Sequence, residues 1–161
     1  MPHAPVDKDA LRRACSKFAT GIAVATVVGT DRAPHGLTVN SFASVSLVPP
    51  LVLFCVDHAS AILPHFRANT YFGINILRQT QKDVSVHFSR KGHDRFNGVE
   101  WSAGRTGVPL LPGALALLEC KVSQTVEAGD HTILIGKVVH AEWHDGKPLL
   151  YFNSGYHRIG S

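Results

Sequence analysis

The most informative stretch of the sequence is Gly36-Leu37-Thr38-Val39-Asn40-Ser41-Phe42-Ala43-Ser44-Val45-Ser46-Leu47, which runs into Val48-Pro49-Pro50. Side chains of a strand point alternately to opposite faces, so the alternation predicts one small, apolar face and one face of hydroxyls and an amide. An uncharged polar face that also carries an aromatic ring suits a flat ligand with many hydrogen-bonding edges. It is equally typical of a half-solvated antiparallel strand, so alternation alone leaves both interpretations open.

The composition predicts one globular domain over residues 1–161, with residues 1–9 as a flexible N-terminal arm. Of the 161 residues, 45% are hydrophobic and only 17% are charged, which excludes a disordered chain. The net charge of +4 comes from scattered Lys and Arg with no basic stripe, so a nucleic-acid partner is not expected. The chain has ten histidines but no HxH, HExxH or paired-cysteine spacing, so no metal site is expected.

The cysteines and the hydropathy pattern predict a cytoplasmic protein with no membrane partner. Cys15, Cys55 and Cys120 are far apart and odd in number, which favours reduced thiols. The sequence shows neither a signal segment nor an apolar run of spanning length.

Strand patterns outnumber helix patterns and follow one another as hairpins, which predicts an antiparallel barrel with peripheral short helices. The glycine-rich nucleotide motifs of Rossmann and P-loop folds are absent, so any nucleotide must be bound by other means. Helices are predicted over residues 7–18, 60–69 and 79–88, strands over 22–28, 36–47, 51–56, 71–77, 114–127, 131–143 and 149–152, and a tail over 153–158.

Several motifs occur in a characteristic order. They are Ala19-Thr20-Gly21-Ile22, the stretch 36–47 with Pro49-Pro50-Leu51, Phe72-Gly73-Ile74-Asn75-Ile76-Leu77, the segment from Phe88-Ser89 to Asp94-Arg95-Phe96, Gly129-Asp130-His131 and Pro148-Leu149-Leu150-Tyr151. In this order, over about residues 10–158, the chain closely resembles the short-chain flavin reductases, which are the reductase components of two-component flavin-dependent monooxygenases. One departure is Val48, where the family usually has an acidic residue before the two prolines.

The resemblance implies a mainly β fold, a six-stranded antiparallel split β-barrel with peripheral short helices. It implies a homodimer that binds FMN or FAD at the subunit interface, takes hydride from NADH or NADPH, and releases reduced flavin to a transient monooxygenase partner. Two alternatives remain open: a tight FMN-binding electron carrier or redox sensor without free-flavin turnover, and an enzyme similar to pyridoxamine-phosphate oxidases. The sparse positive charge speaks weakly against the second.

The resemblance also implies which residues form the site. Asn40 is the strongest candidate from the residues alone, because an amide inside a strand is disfavoured without a partner. A hydroxyl at a helix start, as expected for Ser60, can either cap the helix or bind an anion. His131 is expected at the catalytic position beside the nicotinamide, although a turn histidine that pairs with Asp130 would look the same. The expected cofactor-binding residues are Thr38, Val39, Asn40, Ser41, Ser44, Cys55, Val56, Ser60, Ser89, Arg90, Lys91, Phe96 and Tyr156.

Overall fold

The computed structural model describes residues 3–91 and 94–160, so the first two residues of the expected N-terminal arm lie outside the described residues. Among these residues, no helix is long and apolar enough to cross a membrane. The helices are α1 (Lys8–Cys15), α2 (Leu63–Ala68) and α3 (Lys82–Ser89), with a 3-10 turn at Gln79–Gln81. The strands are β1 (Thr20–Gly21), β2 (Ala23–Val28), β3 (Pro34–Val39), β4 (Ala43–Leu47), β5 (Pro50–Asp57), β6 (Tyr71–Ile76), β7 (Ser102–Ala103), β8 (Pro109–Leu110), β9 (Ala116–Ala128), β10 (His131–Trp143), β11 (Leu149–Phe152) and β12 (Gly155–Arg158).

Seven strands form the main sheet in the order β3-β2-β6-β9-β10-β5-β4, and every pair in it is antiparallel. The expected mainly β, antiparallel fold with peripheral short helices is therefore confirmed, and the main sheet has seven strands where six were expected, because residues 36–47 form two strands, β3 and β4. The hairpins predicted between β2 and β3 and between β9 and β10 are both present. In the latter, Gly129 has φ of 60°, as a two-residue hairpin loop requires.

The main core lies inside the curved sheet and is closed by α2. Phe54 of β5 packs edge-on against Phe66 of α2 and Phe72 of β6, with ring centroids 5.3 and 5.0 Å apart. All three rings are buried. Burial of each such side chain contributes about 1.5–3 kcal/mol. Together with the buried Ile62 and Leu63, these rings anchor α2 to the sheet.

A second core lies between the sheet and α3. Phe88 of α3 and Phe96 pack edge to face at 5.0 Å, and Leu149 of β11 completes the cluster. Gly36 of β3 makes this close approach possible, because a Cβ atom there would lie 3.1 Å from the Phe88 ring. The backbone of β3 therefore lies directly against α3.

Two buried polar side chains hold the loop between α3 and β9. Asn75 of β6 donates to the carbonyl of Val24 at 3.0 Å and accepts from the N–H of Leu111 at 2.8 Å, so this amide is structural. Glu119 of β9 is 1% exposed and accepts from the N–H groups of Arg105 and Thr106 and from the Thr106 hydroxyl. Burial opposes ionisation of Glu119, but these hydrogen bonds outweigh it and lower its carboxyl pKa.

The prediction of one continuous strand over residues 36–47 is wrong. Residues 40–42 leave the strand conformation, so β3 and β4 are separate and lie at opposite edges of the main sheet. The cause is Ser41, whose hydroxyl accepts the N–H of Cys55 at 2.9 Å in place of a main-chain carbonyl. β4 then pairs with β5, with a register shift between Ser44 and Ser46.

Two further boundaries differ from the sequence prediction. The predicted helix over 60–69 is shorter, since α2 begins at Leu63 with Ile62 as its N-cap, and Ser60 lies in the preceding turn. The predicted tail over 153–158 instead folds back as β12 onto β11. Asn153 and Ser154 have φ of 52° and 62°, which makes a two-residue turn with both central residues left-handed.

Candidate functional site

Two adjoining cavities lie beside β3 and α3, and both are lined by Thr38 and Ser89. The basic cavity, of about 250 Å³, is lined by Leu37, Thr38, Asp57, Ala59, Ser60, Ala61, Phe88, Ser89, Lys91 and Arg95. The tyrosine cavity, of about 300 Å³, is lined by Ile22, Thr38, Val39, Asn40, Ser85, Ser89, Tyr151, Ser154 and Tyr156. The shared residues place the cavities end to end along β3.

Arg95 gives the basic cavity an oriented positive charge. Its Nη1 donates to the carbonyls of Gly36 at 3.0 Å and Phe88 at 3.2 Å, which fixes the guanidinium between β3 and α3. Burial lowers the pKa of Arg95, but a guanidinium remains charged at neutral pH. Among the described residues, 3–91 and 94–160, the Nε and Nη2 of Arg95 have no hydrogen-bond partner, so both can donate to a ligand in a fork that matches a phosphate.

Hydroxyls and an ammonium group surround this guanidinium. Ser60 lies in the turn after β5, where Asp57 accepts the N–H of Ala59 at 2.8 Å and orders the loop. Ser89 and the exposed Lys91 enter from the end of α3. The Ser89 hydroxyl donates to the carbonyl of Val86 at 2.7 Å. The two cationic side chains and the Ser60 hydroxyl form a donor set for a phosphate or another small anion.

The tyrosine cavity has an aromatic wall held by side-chain hydrogen bonds. Tyr151 and Tyr156 pack edge to face with centroids 5.6 Å apart. The Tyr156 hydroxyl pairs with Ser85 Oγ at 2.8 Å, and Lys82 Nζ lies 5.5 Å from the Tyr156 ring centroid. Thr38 donates its hydroxyl to the carbonyl of Ser85 at 2.6 Å, so α3 is fixed to β3 where the two cavities meet. Flat aromatic ligands suit this wall.

The structure brings together about half of the residues expected to bind a cofactor. Thr38, Val39, Asn40, Ser89 and Tyr156 line the tyrosine cavity, and Ser60 and Lys91 line the basic cavity with Thr38 and Ser89. Asn40 is exposed, so its amide is available to a ligand.

The other expected residues line neither cavity. The hydroxyl of Ser41 is engaged with the main chain of Cys55, and Ser44 is an exposed residue of β4. Arg90 is exposed at the C-terminal end of α3. Val56 and Phe96 are buried in the two cores, so their side chains pack and do not face either cavity. Their cofactor roles stay predictions.

His131 lies at the start of β10 and lines neither cavity. Its Nδ1 pairs with Asp130 Oδ1 at 2.7 Å, and this hydrogen bond lowers the pKa of Asp130. In register His131 lies opposite Asp57, the last residue of β5, which does line the basic cavity. The imidazole therefore belongs to the edge of the site, and its catalytic role stays a prediction.

Sequence reasoning missed some residues that line the cavities. Arg95 belongs to the family motif 88–96 but was not expected in the site, because its fixed orientation depends on carbonyl groups of two other elements, β3 and α3. Ser85 lies one helical turn before Ser89, a spacing that places both on one face of α3. Asp57 follows a buried strand directly, which is a common position for site residues.

Comparison with known proteins identifies the family. The family model described as the flavin reductase like domain matches residues 15–160 of this chain. The chain is 42% identical over 148 residues to the FMN reductase (NADH) SmoA of Agrobacterium fabrum, with 92% of this chain and 84% of that protein covered. It is 36% identical over 156 residues to HsaB, the reductase subunit of a flavin-dependent monooxygenase of Mycobacterium tuberculosis, covering 95% and 83%.

A solved structure agrees with both matches. The NADH:FAD oxidoreductase SgcE6 of Streptomyces globisporus, in complex with NAD and FAD fragments, superposes with a TM-score of 0.91 at 38% identity. The match covers 96% of this chain and 93% of that one. The fold, the length matched and the identity all agree, and the chain belongs to the flavin reductase like family.

Proposed function

We propose that this protein is an NAD(P)H:flavin oxidoreductase, which reduces FMN or FAD and supplies the reduced flavin to a monooxygenase component. The observation that carries the proposal is the pair of adjoining cavities, one basic and one aromatic, that meet at Thr38 and Ser89. A flavin nucleotide has the same two parts, an anionic phosphate and a flat ring system. SmoA and SgcE6, the relatives described above, are named as NADH-dependent reductases of FMN and FAD respectively.

The residues present fit a flavin nucleotide. Lys91 and the fixed guanidinium of Arg95 would hold the phosphate, with the Ser60 hydroxyl as an additional donor. At the other end, the main chain of β3 at Val39 and the amide of Asn40 offer uncharged hydrogen-bonding groups to the ring edge. When they are bound, the nicotinamide supplies a hydride and the flavin accepts it.

The protein's contribution to this chemistry is binding, orientation and exclusion of water. The Thr38–Ser85 and Ser85–Tyr156 hydrogen bonds fix the aromatic wall, so a bound ring meets a preformed surface. Ile22 and Val39 are buried below it and exclude water from one side. Hydride transfer needs no protein base, and accordingly we propose that His131 positions the nicotinamide and does not move a proton.

We also propose that the protein is a homodimer whose monooxygenase partner binds only transiently. The hairpin between β4 and β5 exposes apolar side chains, with Leu47 88% and Val48 93% exposed. β10 continues past its last pair with β5 and exposes Val139 and Trp143, the latter 77%. A second copy of the chain would cover these exposed apolar side chains. Val48, in place of an acidic residue, adds to this apolar surface.

We further propose that the protein works in the cytoplasm. Its three cysteines are free thiols, and burial raises the pKa of Cys120 to about 12, with a contribution from Glu119. Free thiols are usual in a reducing compartment, because disulfides form and persist in oxidising ones.

The test is the oxidation of NADH and of NADPH, each with added FMN and with added FAD. We expect turnover with at least one pair and none when flavin is omitted. A protein that consumes neither nicotinamide in the presence of either flavin would overturn the proposal. A protein that retains its flavin through dialysis and does not turn over free flavin would be an electron carrier instead.

A further inference from the structure

A cluster of three potential metal ligands lies outside both cavities. Asp31 comes from the turn between β2 and β3, His35 from β3 and His65 from α2, and their ligand atoms all lie within 4.8 Å of one another. Asp31 is exposed and the two histidines are half-buried, so the cluster is open to solvent. The sequence gives no signal for it, because the two histidines are thirty positions apart, on different elements.

The fold holds the side chains of these three residues in close contact. His35 Nε2 lies 2.9 Å and 3.0 Å from the two carboxylate oxygens of Asp31. The His35 and His65 rings stack with centroids 4.0 Å apart and an interplanar angle of 11°. Gly29 leaves the space for it, since a Cβ atom there would lie 2.4 Å from Asp31 Oδ1 and 2.7 Å from His35 Nε2.

We propose that Asp31, His35 and His65 bind a divalent transition-metal ion, with Zn²⁺ as the best fit. Two imidazoles and one carboxylate are a three-ligand set that zinc accepts, with water as its fourth ligand. Ligand atoms about 2.0 Å from a tetrahedral ion are about 3.3 Å apart, so the present separation of His35 from Asp31 needs to widen only slightly. The proton that His35 Nε2 donates to the Asp31 carboxylate is released to solvent when this nitrogen binds the ion. Both imidazoles prefer the same class of borderline metals.

One rearrangement accompanies binding. In two nearly parallel, stacked rings the nitrogen lone pairs lie in parallel planes and do not converge on one point. One ring must therefore turn before both imidazoles can bind the same ion. His65 is the ring that turns, because within the described part of the chain one hydrogen bond holds it: Nδ1 accepts from the N–H of Thr30 at 3.3 Å. That nitrogen is therefore unprotonated, as a metal ligand must be. Binding exchanges this long hydrogen bond for a metal bond.

An ion at this position would join α2 to the turn between β2 and β3. Both elements lead to the basic cavity, because β3 continues to Leu37 and Thr38, and α2 is preceded by Ser60 and Ala61. The ion lies outside the cavities, so we expect it to raise thermal stability and not to supply catalytic chemistry. The proposal does not depend on the flavin reductase activity.

The experiment uses the full chain without a histidine tag, after treatment with EDTA. Zn²⁺ binding is measured by calorimetry and Co²⁺ binding by visible absorption, in the native protein and in His65→Gln. The matched control is His144→Gln, because His144 and Glu142 form another exposed histidine–carboxylate pair, at 3.0 Å, without a second imidazole. Asp31→Asn serves as the second cluster variant if His65→Gln does not fold.

We expect one Zn²⁺ per chain, a tetrahedral Co²⁺ spectrum, and a rise in melting temperature with Zn²⁺. His65→Gln and Asp31→Asn should weaken Zn²⁺ binding by about tenfold or more, whereas His144→Gln should leave it unchanged. No saturable binding, or equal loss in the cluster variants and in His144→Gln, would show a hydrogen-bonded histidine–aspartate cluster only and would overturn the proposal.

Discussion

The role of Arg95 can be tested by comparing two ligands that differ only in a phosphate. In Arg95→Met the cavity loses the guanidinium that Gly36 and Phe88 hold in place. A hydrogen bond to a charged group contributes about 1.5–3 kcal/mol, and about 1.4 kcal/mol corresponds to a factor of ten. We therefore expect FMN to bind roughly 10- to 100-fold more weakly, while riboflavin, which lacks the phosphate, changes little.

The assay is quenching of flavin fluorescence during titration with the protein, for FMN and for riboflavin. Lys91→Met is the matched control, because Lys91 lines the same cavity but is exposed and contributes less to phosphate binding. Loss of packing around Arg95 would weaken both ligands equally, because it would distort the whole site. Equal weakening, or none, would refute the assignment of the phosphate to this guanidinium.

Three further predictions address stability, the nicotinamide side and assembly. Glu119→Gln should lower the free energy of unfolding by about 2 kcal/mol, because the Thr106 and Arg105 donors lose a charged acceptor. The pKa of Glu119 in the folded protein lies below its ordinary value of 4.5. The contribution of its carboxylate to the free energy of unfolding should therefore be complete above pH 4.5 and be lost as the pH falls through the folded pKa. Urea titrations of the variant should accordingly show less acid destabilisation than those of the native protein. His131→Ala should raise KM for NADH more than KM for flavin in steady-state assays, and equal values would make it a turn residue. Leu47→Asp should shift the mass measured by light scattering towards the monomer, and an unchanged mass would place the interface elsewhere.

Much of the fold could be predicted because alternation and hairpin turns are local signals. The β9–β10 hairpin depends on Gly129 and Asp130, and its strands were predicted nearly to their ends. The break after β3 could not be predicted from alternation, because it depends on the hydroxyl of Ser41 meeting the N–H of Cys55, fourteen residues away. A side chain that replaces a main-chain acceptor leaves the polar–apolar pattern intact.

The candidate site was only partly predictable for the same reason. Asn40 and Tyr156 were expected, but the turn at Asn153 and Ser154 that returns Tyr156 to Ser85 was interpreted as a tail. Consecutive Asn, Ser and Gly residues are a hairpin signal that could have located it. The orientation of the Arg95 guanidinium is fixed by carbonyl groups on two different elements. No local sequence pattern shows that these groups lie close together.

Turnover of free flavin, with a nicotinamide as the hydride donor, is the property that defines the proposed function. The most direct measurement is anaerobic mixing of the protein with excess NADH and a large molar excess of FMN or FAD, followed by flavin absorbance. We expect many equivalents of flavin to be reduced per chain. Reduction that stops at one equivalent per chain, or does not occur with either flavin, would contradict it.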